Sequence, residues 1–276
     1  MLLKNANRSM ILRWKMNNIR NEGRGVENRD KVYSMKIMNE SIKCYLFDIN
    51  ELKGEEMYQY ALKMLPIIGV WQERKKHIYS FLRLEDKLRC IGAGLMLKYI
   101  FDKYHVEYSR LIKNQYGKLY IDNFDILKFN ISHSGDYVVC TYGSSESGVD
   151  IEKNINGMDI AKRFFTKQEY QIISTGKSNM FTRIWTLKEA YVKERGMGLT
   201  IPLDSFEVQP GRIYEREKDD FTALSMIDKT IVANDLEKQF REFQFGDYYI
   251  SICSRKNITK KIKQVSVGQL CDKRLL

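Results

Sequence analysis

The alternation of apolar and polar positions along the chain predicts short strands separated by amphipathic helices. Strands are predicted where apolar residues alternate, and helices where they recur every three or four positions. The predicted strands span residues 42–49, 127–131, 137–142, 147–151, 205–208, 238–245 and 248–253, with a hairpin near Gly211. The predicted helices span residues 55–65, 71–104, 159–165, 167–174 and 180–195. Gly92 and Gly94 indicate close packing of the second helix or a break in it.

The order of these elements predicts an α+β fold of two halves. Strand, helices and strands follow one another twice, once on either side of about Gly143. Each half is expected to be a small, mainly antiparallel sheet packed with helices. The predicted boundaries are 37–143 for the N-terminal half and 144–276 for the C-terminal half, with a basic flexible extension at 1–36.

The composition gives the chain a net positive charge, and this charge is unevenly distributed along the sequence. The 276 residues include 46 Lys+Arg and 35 Asp+Glu, a net charge of +11, with 43% hydrophobic residues. Residues 1–36 hold nine basic and three acidic side chains, a net +6, which leaves +5 for the other 240 residues. The body is therefore only mildly basic, and a nucleic-acid partner is not expected.

The cysteines and the apolar runs limit where the protein can work. The five cysteines are widely spaced and form no C-x-x-C pair, which predicts free thiols in the cytoplasm. No apolar run approaches the roughly 20 residues of a membrane helix, so no membrane partner is expected.

The first candidate site is the segment from Gly148 to Lys153. In an extended strand, residues two apart share a face, so Asp150 and Glu152 project together while Val149 and Ile151 enter the core. Two carboxylates on one face suit a hard divalent ion such as Mg²⁺. Alone, the pair is more typical of a half-exposed edge strand with two solvated acids.

The second candidate is the segment from Phe129 to Gly135, in which an apolar strand ends at Ser132, His133 and Ser134. Small polar donors at the end of a strand can bind phosphate. Neighbouring strand residues point to opposite faces, so His133 is poorly placed to activate either serine as a nucleophile. The alternative is an ordinary turn with hydroxyl caps.

The third candidate lies on the predicted helix 180–195. Trp185, Glu189 and Lys193 share one helical face, and Lys188 neighbours it. One interpretation is an ordinary Glu–Lys pair with the aromatic residues in the core. The other makes Glu189 a metal ligand or base and lets the lysines bind phosphates.

In this order and spacing, I-S-H-S, G-V-D-I-E and W-x-x-K-E-x-x-x-K resemble the 4′-phosphopantetheinyl transferase superfamily, and the chain length resembles its larger, Sfp-type class. Further similar segments are 85–92, 161–165, 196–199 and 202–206, so that the resemblance covers about residues 35–265. It implies a pseudo-twofold fold and Mg²⁺-dependent transfer of 4′-phosphopantetheine from coenzyme A to a carrier-protein serine. The products are holo-carrier protein and adenosine 3′,5′-bisphosphate.

The resemblance also implies a role for each candidate residue. Asp150, Glu152 and Glu189 would hold Mg²⁺, with Mn²⁺ as an alternative, and Glu189 or Glu152 would take the serine proton. Lys193 would stabilise or protonate the leaving phosphate. The implied contacts of coenzyme A, mainly to its phosphates, are Arg74, Lys75, Arg89, Lys118, Ser132, His133, Lys188 and Lys193.

Two departures and two alternatives accompany the resemblance. Leu119 replaces the proline that commonly follows Gly-Lys in the family, and residues 211–237 match no family segment. The carrier protein is expected to be acidic and the enzyme a monomer. The alternatives are a nucleic-acid-binding protein driven by the basic extension and a non-catalytic member that binds coenzyme A.

Overall fold

The structure is a computed structural model that describes residues 41–211 and 238–272. The extension predicted at 1–36 lies outside these residues, and so does the chain that follows Gly211 in the predicted hairpin. Within the described ranges, the α+β class is confirmed, with two small sheets packed by helices. No described helix has the length and apolar character needed to cross a membrane.

The described residues form nine strands, which are arranged in two main sheets and one small hairpin. The strands are β1 Lys43–Asp48, β2 Leu111–Lys113, β3 Leu119–Ile121, β4 Lys128–Ser134, β5 Tyr137–Gly143, β6 Ser147–Lys153, β7 Gln239–Phe245, β8 Tyr248–Ser254 and β9 Lys263–Gln264. Sheet one has the order β4-β5-β1-β9 and is antiparallel except for the β1–β9 pair. Sheet two is antiparallel with the order β6-β8-β7, and β2 pairs with β3.

Within the part of the chain that the structure describes, seven α-helices accompany the sheets: α1 Glu55–Met64, α2 Gly69–Ser80, α3 Leu84–Lys103, α4 Met158–Phe164, α5 Lys167–Thr175, α6 Met180–Arg195 and α7 Val267–Leu270. The bounds of α6 agree with the prediction. Its end is set by Gly196, which adopts the left-handed conformation that favours glycine after a helix.

The core is layered, and each sheet carries one long helix. Leu46 and Val139 of sheet one pack with Ile151 and Ile250 of sheet two in a shared apolar layer. The buried face of α6 packs with sheet-two residues on a second apolar layer. All these elements belong to one compact unit, and the boundary between halves at 143/144 stays a prediction.

Two predictions of secondary structure were wrong. The region 71–104 is two helices, since α2 ends at Ser80 and α3 begins at Leu84. The chain reverses there because Trp71, at the start of α2, packs edge-on against Phe101 near the end of α3. Gly92 and Gly94 are not the break but lie inside α3, where Phe47 and Leu65 pack close to them.

The strand predicted at 205–208 is absent from the described structure, which has a short 3₁₀ turn at Leu203–Ser205 instead. The backbone groups of residues 203–208 form hydrogen bonds with buried side chains rather than with a neighbouring strand. Lys188 donates to the carbonyl oxygens of Leu203 and Phe206, and the Val208 N–H donates to Glu169.

Candidate active site

Two carboxylates project from one edge of sheet two, as the alternation predicts. Val149 and Ile151 are fully buried in the core between the sheets. Asp150 and Glu152 point the other way, towards β4, the edge strand of sheet one. The strand thus presents both acids to the same space.

Helix α6 closes this space from the side. Its face with Trp185, Glu189 and Lys193 lines the same pocket as Asp150 and Glu152, a cavity of about 560 Å³. The remaining lining residues come from sheet one and from α2 and α3: Arg74, Ala93, Ile131, Ser132 and His133. The structure therefore brings the three sequence motifs together.

Asp150 is the centre of the polar contacts in this pocket. The Lys193 ammonium lies 2.5 Å from Asp150 Oδ1 and also donates to Ser132 Oγ at 2.9 Å. Ser132 in turn donates to Asp150 Oδ1 at 2.8 Å. The other oxygen, Asp150 Oδ2, is buried and has no hydrogen-bond partner among the described residues. An unsatisfied buried carboxylate oxygen is costly, which indicates a position for a cationic ligand.

The two glutamates are less easily ionised than ordinary ones. Desolvation by burial raises the pKa of Glu152, the Asp150 charge adds to the rise, and Ser134 and Lys193 oppose it. Desolvation also raises the pKa of Glu189, with Asp150 and Glu152 adding to it against Lys193. Carboxylates of raised pKa are better proton acceptors than solvated ones.

A basic rim lies at the sheet-one side of the pocket. Desolvation lowers the pKa of His133, and the nearby charges of Arg89 and Lys193 lower it further, although the residue as a whole is exposed. Arg89 donates to the Gly135 carbonyl at 2.7 Å and pairs with Asp86 at 2.5 Å. Arg74 lines the pocket, and its Nε is buried without a partner among the described residues.

Lys118 and Lys75, which were also predicted to bind phosphate, do not line this pocket. Lys118 lines an adjoining cavity of about 270 Å³ that shares Ile131 and Lys193 with the first. Its ammonium pairs with Glu146 at 2.6 Å. Lys75 is half-buried and follows Arg74 on α2, and it does not line the pocket.

The structure corrects the prediction for Lys188. Its side chain is fully buried and pairs with Glu169 at 2.8 Å, with the Phe206 ring 4.2 Å from its ammonium. Desolvation lowers the pKa of Lys188, and Glu169 opposes the shift. A lysine held this way is turned from the pocket and cannot reach a phosphate there.

The donor set of the pocket suits Mg²⁺ or Mn²⁺. Asp150, Glu152 and Glu189 supply only oxygen, and Asp150 Oδ2 lacks a partner among the described residues. No three His, Cys, Asp or Glu side chains of the described ranges are already arranged around one point for a metal ion. Mg²⁺ commonly binds one or two carboxylates together with substrate phosphates and water, so a preformed group of three is not required.

Sequence reasoning did not assign a role to two residues that the structure places beside the acids. Ser134 donates to Glu152 Oε2 at 2.7 Å, and the Asn130 side chain accepts from the Val149 N–H at 2.9 Å. The signal was the spacing of Asn130, Ser132 and Ser134, which lie two apart and so share one face of a strand.

Comparisons with known proteins point to one family. Residues 146–253 match the family model of the 4′-phosphopantetheinyl transferase superfamily. The 4′-phosphopantetheinyl transferase Sfp of Bacillus subtilis (strain 168) is 35% identical over 158 residues, covering 50% of this chain and 70% of the relative. The corresponding figures are 34% over 163 residues, 54% and 68% for 4′-phosphopantetheinyl transferase gsp of Aneurinibacillus migulanus.

A more distant match is the L-aminoadipate-semialdehyde dehydrogenase-phosphopantetheinyl transferase of Xenopus laevis. It is 32% identical over 178 residues, which cover 54% of this chain and 59% of the relative. Residues 146–253 of this chain, which the family model matches, include β6 and α6. These two elements carry the three carboxylates and Lys193.

Proposed function

This chain belongs to the 4′-phosphopantetheinyl transferase superfamily, and we infer that it transfers 4′-phosphopantetheine from coenzyme A to a serine of a carrier protein. The observation that carries this function is the pocket between β4, β6 and α6. There, Asp150, Glu152, Glu189 and Lys193 meet beside a basic rim.

The reaction exchanges one phosphorus–oxygen bond for another. The carrier serine oxygen attacks the phosphorus that bears pantetheine, and the bond from that phosphorus to the bridging oxygen breaks. Adenosine 3′,5′-bisphosphate leaves with the bridging oxygen, and the serine proton must be removed. The site therefore needs a base, a cation at the leaving group and a means of holding the pyrophosphate.

The glutamates of the pocket supply the base. Their raised pKa values make either Glu189 or Glu152 a suitable acceptor for the serine proton. Lys193 faces the same space and is the cation that would stabilise or protonate the leaving phosphate. Its ion pair with Asp150 holds its ammonium group in the pocket.

Asp150, Glu152 and Glu189 are the residues that would hold Mg²⁺, with Mn²⁺ as the alternative. When bound, the ion would neutralise charge on the pyrophosphate as it is attacked. The partnerless Asp150 oxygen supports this assignment. Among the described residues, Asp150 is the only one of the three acids that forms an ion pair with Lys193.

The basic rim would bind the phosphates of coenzyme A. Arg74 and His133 line the pocket, and Arg89 lies beside His133. Lys75 and Lys118 would reach phosphates at its margins. Ser132 lines the pocket, but its hydroxyl hydrogen is donated to Asp150, so it would meet a phosphate only by turning away from that acid.

Charge and free thiols support the setting that we propose for the reaction. The five cysteines of the described residues are free, in accord with a cytoplasmic enzyme. A basic rim favours an acidic carrier protein by electrostatic attraction. We expect the enzyme to act as a monomer.

A carrier panel tests the function. The purified protein is incubated with coenzyme A, Mg²⁺ and each of several apo acyl, peptidyl and aryl carriers, and the carriers are weighed by mass spectrometry. We expect at least one to gain one phosphopantetheine, with no gain when coenzyme A is omitted. If none of the carriers gained this mass, the result would contradict the function.

A further inference from the structure

The two sheets meet along a seam that is made of side chains. β4 is the edge strand of sheet one and β6 that of sheet two, and the sheet hydrogen bonding does not continue from one to the other. The seam is defined here by three side chains of β4, namely Asn130, Ser132 and Ser134.

Each of these side chains binds the opposite strand. Asn130 accepts from the Val149 N–H, Ser132 donates to Asp150, and Ser134 donates to Glu152, at 2.7 to 2.9 Å. Residues two apart on β4 thus meet β6 at Val149, Asp150 and Glu152, and two of the three contacts end on the acids of the active site.

The Ser134 hydroxyl makes two hydrogen bonds across this seam, one as donor and one as acceptor. Its hydroxyl donates its single hydrogen to Glu152 Oε2 at 2.7 Å and accepts from the Lys153 N–H at 3.3 Å. Ser134 is the only described residue that donates a hydrogen bond to the Glu152 carboxylate. A glutamate side chain has several rotatable bonds, so without this contact its carboxylate would sample many positions at the half-exposed end of β6.

We propose that Ser134 is a positioning residue that holds the Glu152 carboxylate towards Asp150 and the pocket. This inference rests on the proposed function, because it concerns the orientation of one of its acids. Groups that orient a metal ligand commonly change metal affinity or activity by roughly 10- to 100-fold when they are removed. Ser134 touches neither reacting atom and acts through Glu152.

The test compares Ser134→Ala with Ser134→Thr, which keeps the hydroxyl, and with Ser147→Ala as a matched control. Ser147 Oγ bonds Thr141 Oγ1 at 2.9 Å across the same junction between sheets, and it touches no carboxylate. The measurements are Mn²⁺ binding to the protein alone by electron paramagnetic resonance, thermal unfolding, and transfer rate as a function of Mg²⁺ and coenzyme A concentration.

We expect Ser134→Ala to weaken Mn²⁺ binding by about tenfold or more and to raise the Mg²⁺ needed for half-maximal transfer by a similar factor. Ser134→Thr should bind Mn²⁺ as the wild type does. Ser147→Ala should lose thermal stability but keep the wild-type Mn²⁺ affinity and transfer rate.

Two results would overturn the inference: unchanged Mn²⁺ binding in Ser134→Ala, or equal weakening in both alanine variants, which would make the seam merely structural. Failure of the proposed function is recognised separately. In that case the wild type modifies no carrier, whereas failure of this inference leaves wild-type transfer intact.

Discussion

Glu189 carries a charge that the folded chain stabilises poorly. No described residue donates a hydrogen bond to its carboxylate, and desolvation together with Asp150 and Glu152 raises its pKa. Such an arrangement is typical of a functional site, where stability is sacrificed for chemistry.

Glu189→Gln should therefore make the protein more stable and inactive. Because the folded pKa is raised, folded Glu189 holds its proton more tightly than unfolded glutamate, so its destabilising effect develops as pH rises and is complete above the folded pKa. The variant should gain about 1 kcal/mol of unfolding free energy near neutral pH, and the gain should vanish by about pH 4.

Urea unfolding from pH 4 to pH 8 measures this change, and the carrier assay measures transfer. Equal stability of the two proteins at pH 8 would contradict the electrostatic interpretation. Transfer at the wild-type rate would show that Glu189 is not needed as ligand or base.

Lys188 shows what a residue pattern alone cannot decide. In sequence it stands beside Glu189 in the motif, and helical spacing leaves its side chain near the edge of the functional face. Its direction is fixed by Glu169 on α5 and by the carbonyl oxygens of Leu203 and Phe206. These partners are distant in sequence, so no local sequence pattern predicts them. A buried lysine so satisfied is part of the fold rather than of the site.

Helix α6 and strand β6 are the elements that assemble the site, and Gly148 allows them to meet. A Cβ at Gly148 would lie 1.9 Å from the Ala190 carbonyl oxygen and 2.4 Å from the Glu194 nitrogen. Both are backbone atoms of α6, so no side chain could move aside. Glycine in the G-V-D-I-E motif thus sets how closely Glu189 and Lys193 approach Asp150.

Gly148→Ala should push α6 away from β6. We expect a loss of about 1–3 kcal/mol in unfolding free energy. Transfer should fall by about 100-fold even where the variant is fully folded, because the acids and Lys193 separate. Gly268→Ala is the matched control, since a Cβ there meets only Ser266 Oγ at 3.8 Å.

Unfolding curves and the carrier assay, run well below the melting temperature, separate the two effects. A Gly148→Ala protein with the wild-type turnover rate would show that the spacing of α6 and β6 does not limit the chemistry.

The elements that sequence predicted best are those whose signals are local. The strands β5 and β6 and helix α6 were found because apolar alternation or helical spacing ends at clear breaks. The region 205–208 looked like a strand because its residues alternate. Lys188 and Glu169 bind its backbone groups instead, and contacts between residues so far apart are not visible in a local pattern.

At the scale of the whole molecule, the site exists because two sheets meet edge to edge without sharing a backbone ladder. Their faces are joined by a common apolar layer, whereas β4 and β6 are joined by Asn130, Ser132 and Ser134. The α+β class could be predicted from sequence, and the convergence of the motifs was implied by the family resemblance. The seam could not be predicted, because it depends on how two separate sheets are placed.

The uneven distribution of charge along the chain provides a test of which residues the transfer reaction needs. The acids, the rim and the seam all lie within residues 74–193, whereas residues 1–36 carry +6 of the total +11. Deleting residues 1–36 lowers the net charge to +5 and removes none of the described residues that line the pocket. We therefore expect unchanged kcat and an unchanged KM for coenzyme A.

The same deletion distinguishes an enzyme from a nucleic-acid-binding protein. Any binding of duplex DNA by the full chain should weaken steeply with salt, as expected for contacts to phosphates alone, and should disappear with residues 1–36. Filter binding across a salt series, beside the carrier assay, measures both. Loss of transfer on deletion would assign the extension a role in catalysis. Tight DNA binding by the shortened chain would show that the body recognises a polyanion, and the basic rim beside His133 would then have a second ligand.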